Sequence, residues 1–172
     1  MIVVIAGSRY LRPGMAPRLL IRFLANLSQM HPDAVVLMRR GRKSPIAQFE
    51  RQVWALCDLV GLEVRWCVPP EEMELHYPNL DGTETIERRP LEQRAQTFTR
   101  DLDMVLKADL VLCFWDANEP TTPGDGGTQN LAAKAVDHNK VVYAYAVDGS
   151  SVQRVGEHDP KNLWVEQVPT PA

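Results

Sequence analysis

Ile2-Val3-Val4-Ile5-Ala6-Gly7-Ser8-Arg9 is the stretch on which the fold turns. Its apolar residues, the first four all β-branched, run on without polar alternation. That is the pattern of a strand buried on both faces, as in the middle of a parallel sheet. Gly7 ends the run and permits a tight turn, and Ser8 and Arg9 place hydrogen-bond donors at the strand's carboxyl end. A second run of the same kind, Asp109-Leu110-Val111-Leu112-Cys113-Phe114, lies far downstream.

Between and around these two runs the periodicity changes. From Met15 to Met30, Leu19, Leu20, Phe23, Leu24 and Leu27 recur at helical spacing, with Arg18, Arg22 and Gln29 off the stripe. Ala34 to Met38 reads as a second buried strand. Ser44-Pro45 suits the start of a helix, serine as cap and proline in the first turn. Its stripe is Ile46, Phe49, Val53, Leu56, Cys57 and Val60, and Gly61 ends it. Leu62 to Val68 predicts a third strand, Leu91 to Lys107 a helix, Gly127 to Asn139 another, and Val141 to Val147 a last strand. Strands alternating with helices imply an α/β protein, a single Rossmann-like domain with a five-stranded, mainly parallel sheet flanked by helices. That domain is expected over residues 1–147. Within it, Pro69 to Pro90 carries Pro69-Pro70, Tyr77-Pro78 and Asp81-Gly82, and reads as an irregular insertion. Residues 148–172 read as a polar, proline-rich tail.

Composition narrows the function classes. A chain of 172 residues fits one domain, and 45% hydrophobic with 24% charged residues is ordinary for a soluble globular protein. The net charge of −3 speaks against a generalised nucleic-acid binder. Cys57, Cys67 and Cys113 are odd in number and lack CxxC spacing, so reduced thiols are expected. His31, His76, His138 and His158 are scattered, and no metal site is expected. With no leader-like opening and no apolar stretch of about 18 residues, the expectation is a cytoplasmic protein without membrane contact.

Three loops follow strands and should converge on one edge of the sheet, where open α/β folds bind ligands. The first is Gly7-Ser8-Arg9. The second is Arg39-Arg40-Gly41-Arg42-Lys43-Ser44, four cations around one glycine before a helix start. The third is Pro123-Gly124-Asp125-Gly126-Gly127-Thr128, whose Gly126-Gly127-Thr128 offers backbone N–H groups and a hydroxyl to a phosphate. It lacks the GK[ST] ending of a P-loop, and no GxGxxG follows the first strand. Arg100 and Asp101, on the helix before the fourth strand, could reach the site from below. Trp115, directly after that strand, could stack on a base or cap the core, and Asp116 follows it.

Assembled, the chain resembles the SLOG superfamily, which includes LOG-type phosphoribohydrolases, DprA-like proteins and YspA-type sensors. Val3 to Arg9 looks like the family's opening strand and G-[SG]-R turn. Arg100-Asp101-Leu102-Asp103-Met104 is similar to its RNxxM helix, and Asp109 to Asp116 followed by Gly126-Gly127-Thr128 to its ADxVIAFWDG…GT segment. Two departures stand out. The family's glycine-rich second loop is replaced by Arg39 to Ser44. The glutamate of the LOG-type PGGxGTxxE signature is replaced by Leu131.

Three readings follow. The first is a protein that binds, and so senses or sequesters, a nucleotide or nucleotide-derived phosphorylated ligand without turnover and without a cofactor. The second is an N-glycosidic hydrolase, a phosphoribohydrolase or deoxyribosyltransferase-like enzyme in which Glu50, Asp116 or Asp125 stabilises an oxocarbenium-like state. The third is a DprA-like nucleic-acid module using Arg39, Arg40, Arg42 and Lys43. The resemblance also implies homo-oligomers, with the Leu91 to Lys107 helix and the Pro69 to Pro90 excursion as contact surfaces.

Overall fold

The computed structural model describes residues 1–9, 11, 18–119, 127–149 and 151–160. In chain order these form β1 (Ile2–Gly7), α1 (Arg18–Met30), β2 (Val35–Arg39), α2 (Gln48–Val60) and β3 (Glu63–Cys67). Then come β4 (Glu72–Pro78), β5 (Glu84–Pro90), α3 (Gln93–Lys107), β6 (Leu110–Asp116), α4 (Thr128–Asp137), β7 (Val141–Asp148) and β8 (Ser151–His158).

The main sheet has the order β3-β2-β1-β6-β7-β8. Its first five members are parallel neighbours, with Val3 opposite Val36 on one side and Val4 opposite Val111 on the other. The 3-2-1-4-5 winding of the parallel strands is the Rossmann order, so the α/β fold follows from connectivity and register.

Alternation along the strands builds two separate cores, because successive side chains leave opposite faces. Val3, Ile5, Val36, Met38, Leu112 and Phe114 point one way and pack under α1 and α2 through Leu20, Phe23, Leu24 and Val53. Val4, Ala6, Leu37, Val111 and Cys113 point the other way, against Met104 and Val105 of α3 and Leu131 and Ala135 of α4. Helices on both faces leave no solvated side, which is why β1 and β6 are continuous apolar runs. Gly61 ends α2, as its place after the apolar stripe predicts, and at φ 76 it does so in the left-handed region.

Four expectations need correction. The sheet has six strands, because β8 pairs antiparallel with β7 in the segment read as a tail. Only alternate β8 residues are half-buried, so its sequence carries no apolar run. The stretch read as an irregular insertion holds a regular antiparallel hairpin, β4–β5, with Met73 opposite Arg89 and Tyr77 opposite Thr85. The helix expected from Ser44-Pro45 begins at Gln48 after Ala47, so Ser44 caps nothing. The fourth parallel strand runs on through Trp115 to Asp116. The expected start of α1 at Met15 lies outside the described residues. Among those residues, no helix is long and apolar enough to cross a membrane.

Candidate functional site

The winding reverses between β1 and β6. The chain steps outward from β1 through β2 to β3, then returns to lay β6 on β1's free side. The helices that follow β1 and β6, α1 and α4, therefore pack on opposite faces of the sheet, which opens a crevice at the strands' carboxyl ends. A cleft of about 510 Å³ lies there, within the usual range for small-molecule sites. Its walls come from Gly7, Ser8 and Arg9 of the first turn, Arg39, Arg40, Gly41 and Ser44 of the second, and Gly127 and Thr128 at the start of α4, together with Glu50, Arg100 and Glu119.

Arg39 ties these walls together from the last position of β2. One of its guanidinium nitrogens donates to the Gly7 carbonyl at 3.1 Å and to Thr128 Oγ1 at 2.7 Å. Beneath it, the buried Asp101 of α3 lies 4.0 Å from Arg39 and accepts from Arg100 Nε at 2.8 Å. The three side chains are 13%, 3% and 11% exposed. Asp101 is thus a counter-ion shared by two arginines, and it sits below the cleft while Arg100 lines it.

Gly7 is constrained from behind. A Cβ added there would fall inside the Phe49 ring, whose centroid lies 5.5 Å from that of Phe114 with the two rings tilted by 40°. The glycine is therefore demanded by packing of α2 on the sheet. One residue on, Glu50 turns into the cleft and is 5% exposed. Burial pushes its carboxyl above the usual carboxylate range. The Arg39 charge, hydrogen bonding to its own backbone and that of Gly7, and Arg100 pull the other way.

Glu119 is the residue that sequence reasoning missed. It follows β6 on the loop and lines the cleft. Its carboxylate accepts from the Ser8 hydroxyl and, at 3.4 Å, from Gln129 Nε2 in the first turn of α4. An internal anion thus bridges the first turn and the start of α4, the place where a helix N-terminus attracts negative charge. The available signal was an acidic residue three positions past Asp116, on the loop that must face the crevice.

The expected cations do not act together. Arg39 points inward and Arg40 lines the cleft, but Arg42 donates to the Pro69 carbonyl at 2.7 Å and pairs with Glu71 at 3.1 Å. Lys43 is exposed away from the cleft lining. Trp115 packs against the α3–α4 core, and Asp116 accepts from the Asn118 backbone N–H at 2.9 Å in the turn after β6, so neither lines the cleft. Leu131, at the position where a LOG-type signature would carry its glutamate, is fully buried. Gly126 and Asp125 lie outside the described residues. Among those residues, no group of three or more His, Cys, Asp or Glu side chains could hold a metal ion.

No protein-family model and no curated protein matches the chain. Among solved structures, the crystal structure of Sa239 overlaps it with a TM-score of 0.34 and 11% identity, over 83% of this chain and 53% of that one. The chain thus spans about half the length of Sa239. The tetrameric inhibited form of phosphofructokinase-2 from Escherichia coli gives 0.25 and 13% over 90% and 78% of the two chains. A ribokinase from Thermotoga maritima gives 0.25 and 9% over 90% and 76%. The fold assignment rests on strand order and register, not on these overlaps.

Proposed function

We propose that the cleft binds a nucleotide or nucleotide-derived phosphorylated ligand, which the protein senses or sequesters. One observation carries this reading: the first turn, the second turn and the α4 start, far apart in sequence, line one cleft at the switch point and are cross-linked by Arg39. A phosphate there meets backbone N–H groups at the α4 start, the Arg9 and Arg40 side chains and, where it displaces Glu119, the Ser8 hydroxyl, a donor set suited to oxyanions. The volume admits a nucleoside as well as its phosphate. The motif order resembling SLOG proteins supports the same ligand class.

Isothermal titration against nucleoside monophosphates, ADP-ribose derivatives, free nucleosides and inorganic phosphate tests the proposal. Binding of a phosphorylated nucleoside, lost in Thr128→Val and absent for the unphosphorylated nucleoside, is the expected result. No binding across the panel overturns it.

Glu50 favours a second reading. It is a buried carboxyl in the wall of the cleft with its pKa raised, the situation of an acid–base or ion-stabilising group in N-glycosidic cleavage. Release of free base from a nucleoside monophosphate, abolished in Glu50→Gln, supports it. Unchanged ligand after prolonged incubation removes it and leaves binding alone.

A further inference from the structure

The β4–β5 hairpin is a sheet without a core. Every β5 residue is exposed, as are six of the seven in β4, and neither strand contributes to the two buried clusters. Two-stranded hairpins of this kind are marginal in water unless a third strand or another surface covers them. Among the described residues, β4 pairs with β5 alone, so its other edge is an open ladder.

The register identifies which groups lie on that edge. Asn79 N–H donates to the Thr83 carbonyl at 2.8 Å, and Leu91 N–H to the Glu71 carbonyl at 2.8 Å. These bonds mark the hydrogen-bonded pairs of the ladder, and pairing alternates along it. Residues 73, 75 and 77 therefore turn their backbone groups toward β5. Glu72, Glu74 and His76 turn theirs to the free edge, where Pro78 ends the ladder without an N–H.

We propose that β4 pairs antiparallel with β4 of a second copy of this chain, about a two-fold axis at Leu75, giving a continuous sheet β5-β4-β4-β5. This register is self-complementary at every level. Glu74 falls opposite His76 of the second copy in a hydrogen-bonded pair, and His76 opposite the second copy's Glu74. Leu75 meets Leu75 in a non-hydrogen-bonded pair, where side chains approach most closely. Met73 falls opposite Tyr77, each 42–44% exposed in the single chain. The three apolar side chains of each strand lie on one face, so the axis joins six of them into one patch. That closes an isologous interface.

The competing registers are poorer. An axis at Glu74 sets two carboxylates opposite each other. The free edge of β5 has one large apolar residue, Ile86, and an axis there joins only that pair.

Light scattering coupled to size exclusion, on the full chain over a dilution series, reads the outcome. The wild type runs as a dimer. Leu75→Lys sets two ammonium groups against each other on the axis and weakens association by at least about tenfold, while Ile86→Lys leaves it intact. Circular dichroism and the melting transition at one dilute concentration confirm that the body of both variants folds. As a second measurement, in a Cys67→Ser background that leaves only the buried Cys57 and Cys113, Leu75→Cys oxidises to a cross-linked dimer on a denaturing gel, while the same background without it gives none. A monomeric wild type at every concentration overturns the proposal. So does a dimer that survives Leu75→Lys, or one that Ile86→Lys dissolves. The two latter results transfer the contact to another surface or to the β5 edge.

Discussion

The cleft and the β4–β5 hairpin use the same vocabulary, arginine against glutamate or aspartate, in opposite surroundings. At the cleft, Arg39, Asp101 and Arg100 are nearly out of contact with water. On the hairpin, Arg88 and Glu74 pair at 3.3 Å with side chains 68% and 48% exposed, and His76 lies between Glu74 and Glu84. Breaking a buried pair leaves an uncompensated charge and costs about 3–5 kcal/mol, whereas exposed pairs contribute about 0–1 kcal/mol. Ionic contacts therefore set the geometry in one region and decorate the surface in the other. In the cleft they hold Arg39 where it clamps β1 to α4. On the hairpin they add little to the stability of the single chain, and the backbone edge and the apolar strip of Met73, Leu75 and Tyr77 stay open to a partner.

The contrast is open to attack, beginning where the effect is largest. Asp101→Ala strips the shared counter-ion from Arg39 and Arg100, and a loss of about 3–5 kcal/mol in unfolding free energy is expected in chemical denaturation. Loss of phosphorylated-ligand binding should accompany it. A loss under about 1 kcal/mol would mean that the network is no more constrained than a surface pair. Gly7→Ala drives a methyl into Phe49 and should cost about 1–3 kcal/mol. Phe49→Leu in the same background should recover part of that loss, which separates overpacking from damage to the binding turn.

Smaller effects sharpen the picture. Glu119→Gln removes the internal anion between Ser8 and Gln129, so a phosphorylated ligand should bind severalfold tighter in titration. Weaker binding would make Glu119 a ligand contact instead of a competitor. Glu50→Gln tests burial directly. Because the folded carboxyl has a pKa above the ordinary 4.5, ionising it costs more inside the fold than in the unfolded chain. That cost is absent below pH 4.5 and grows as pH rises through the ordinary value toward the raised one. The glutamine variant should melt higher than the wild type at neutral pH, with the gap closing as pH falls toward 4.5. At the bottom of the scale, Arg88→Gln on the hairpin should leave the melting temperature unchanged.

Much of this molecule was legible in its order of residues. β1 and β6 announce themselves because both faces of a central parallel strand are covered, which forces unbroken apolar runs. α1 and the body of α2 show their stripes because each buries one side only. Strand–helix alternation then leaves few possible windings. Within the site, the turn at Gly7-Ser8-Arg9, the pair Arg100-Asp101 and Gly127-Thr128 were all visible as donor-bearing segments at strand or helix ends. The hairpin was hidden because neither of its faces is buried: Met73, Leu75 and Tyr77 do alternate with Glu72, Glu74 and His76, but the run is short and bounded by prolines, and β5 carries no such alternation. β8 was hidden for a related reason. It is an edge strand with a half-buried face, recognised by its partner β7 and not by its own composition.

The sequence alone determined the α/β class, the central strands and the edge of the sheet on which donors collect, because these depend on local periodicity and on the end of each strand at which its turn leaves. Only the tertiary structure decided how each charge is used. It turned Arg39 inward as a clamp and sent Arg42 to Glu71. It placed Asp101 beneath two arginines and brought Glu50 and Glu119 to the consecutive residues Gly7 and Ser8. Those assignments depend on contacts between residues dozens of positions apart, and burial, which gives each charge its energetic weight, exists only once the layers have packed.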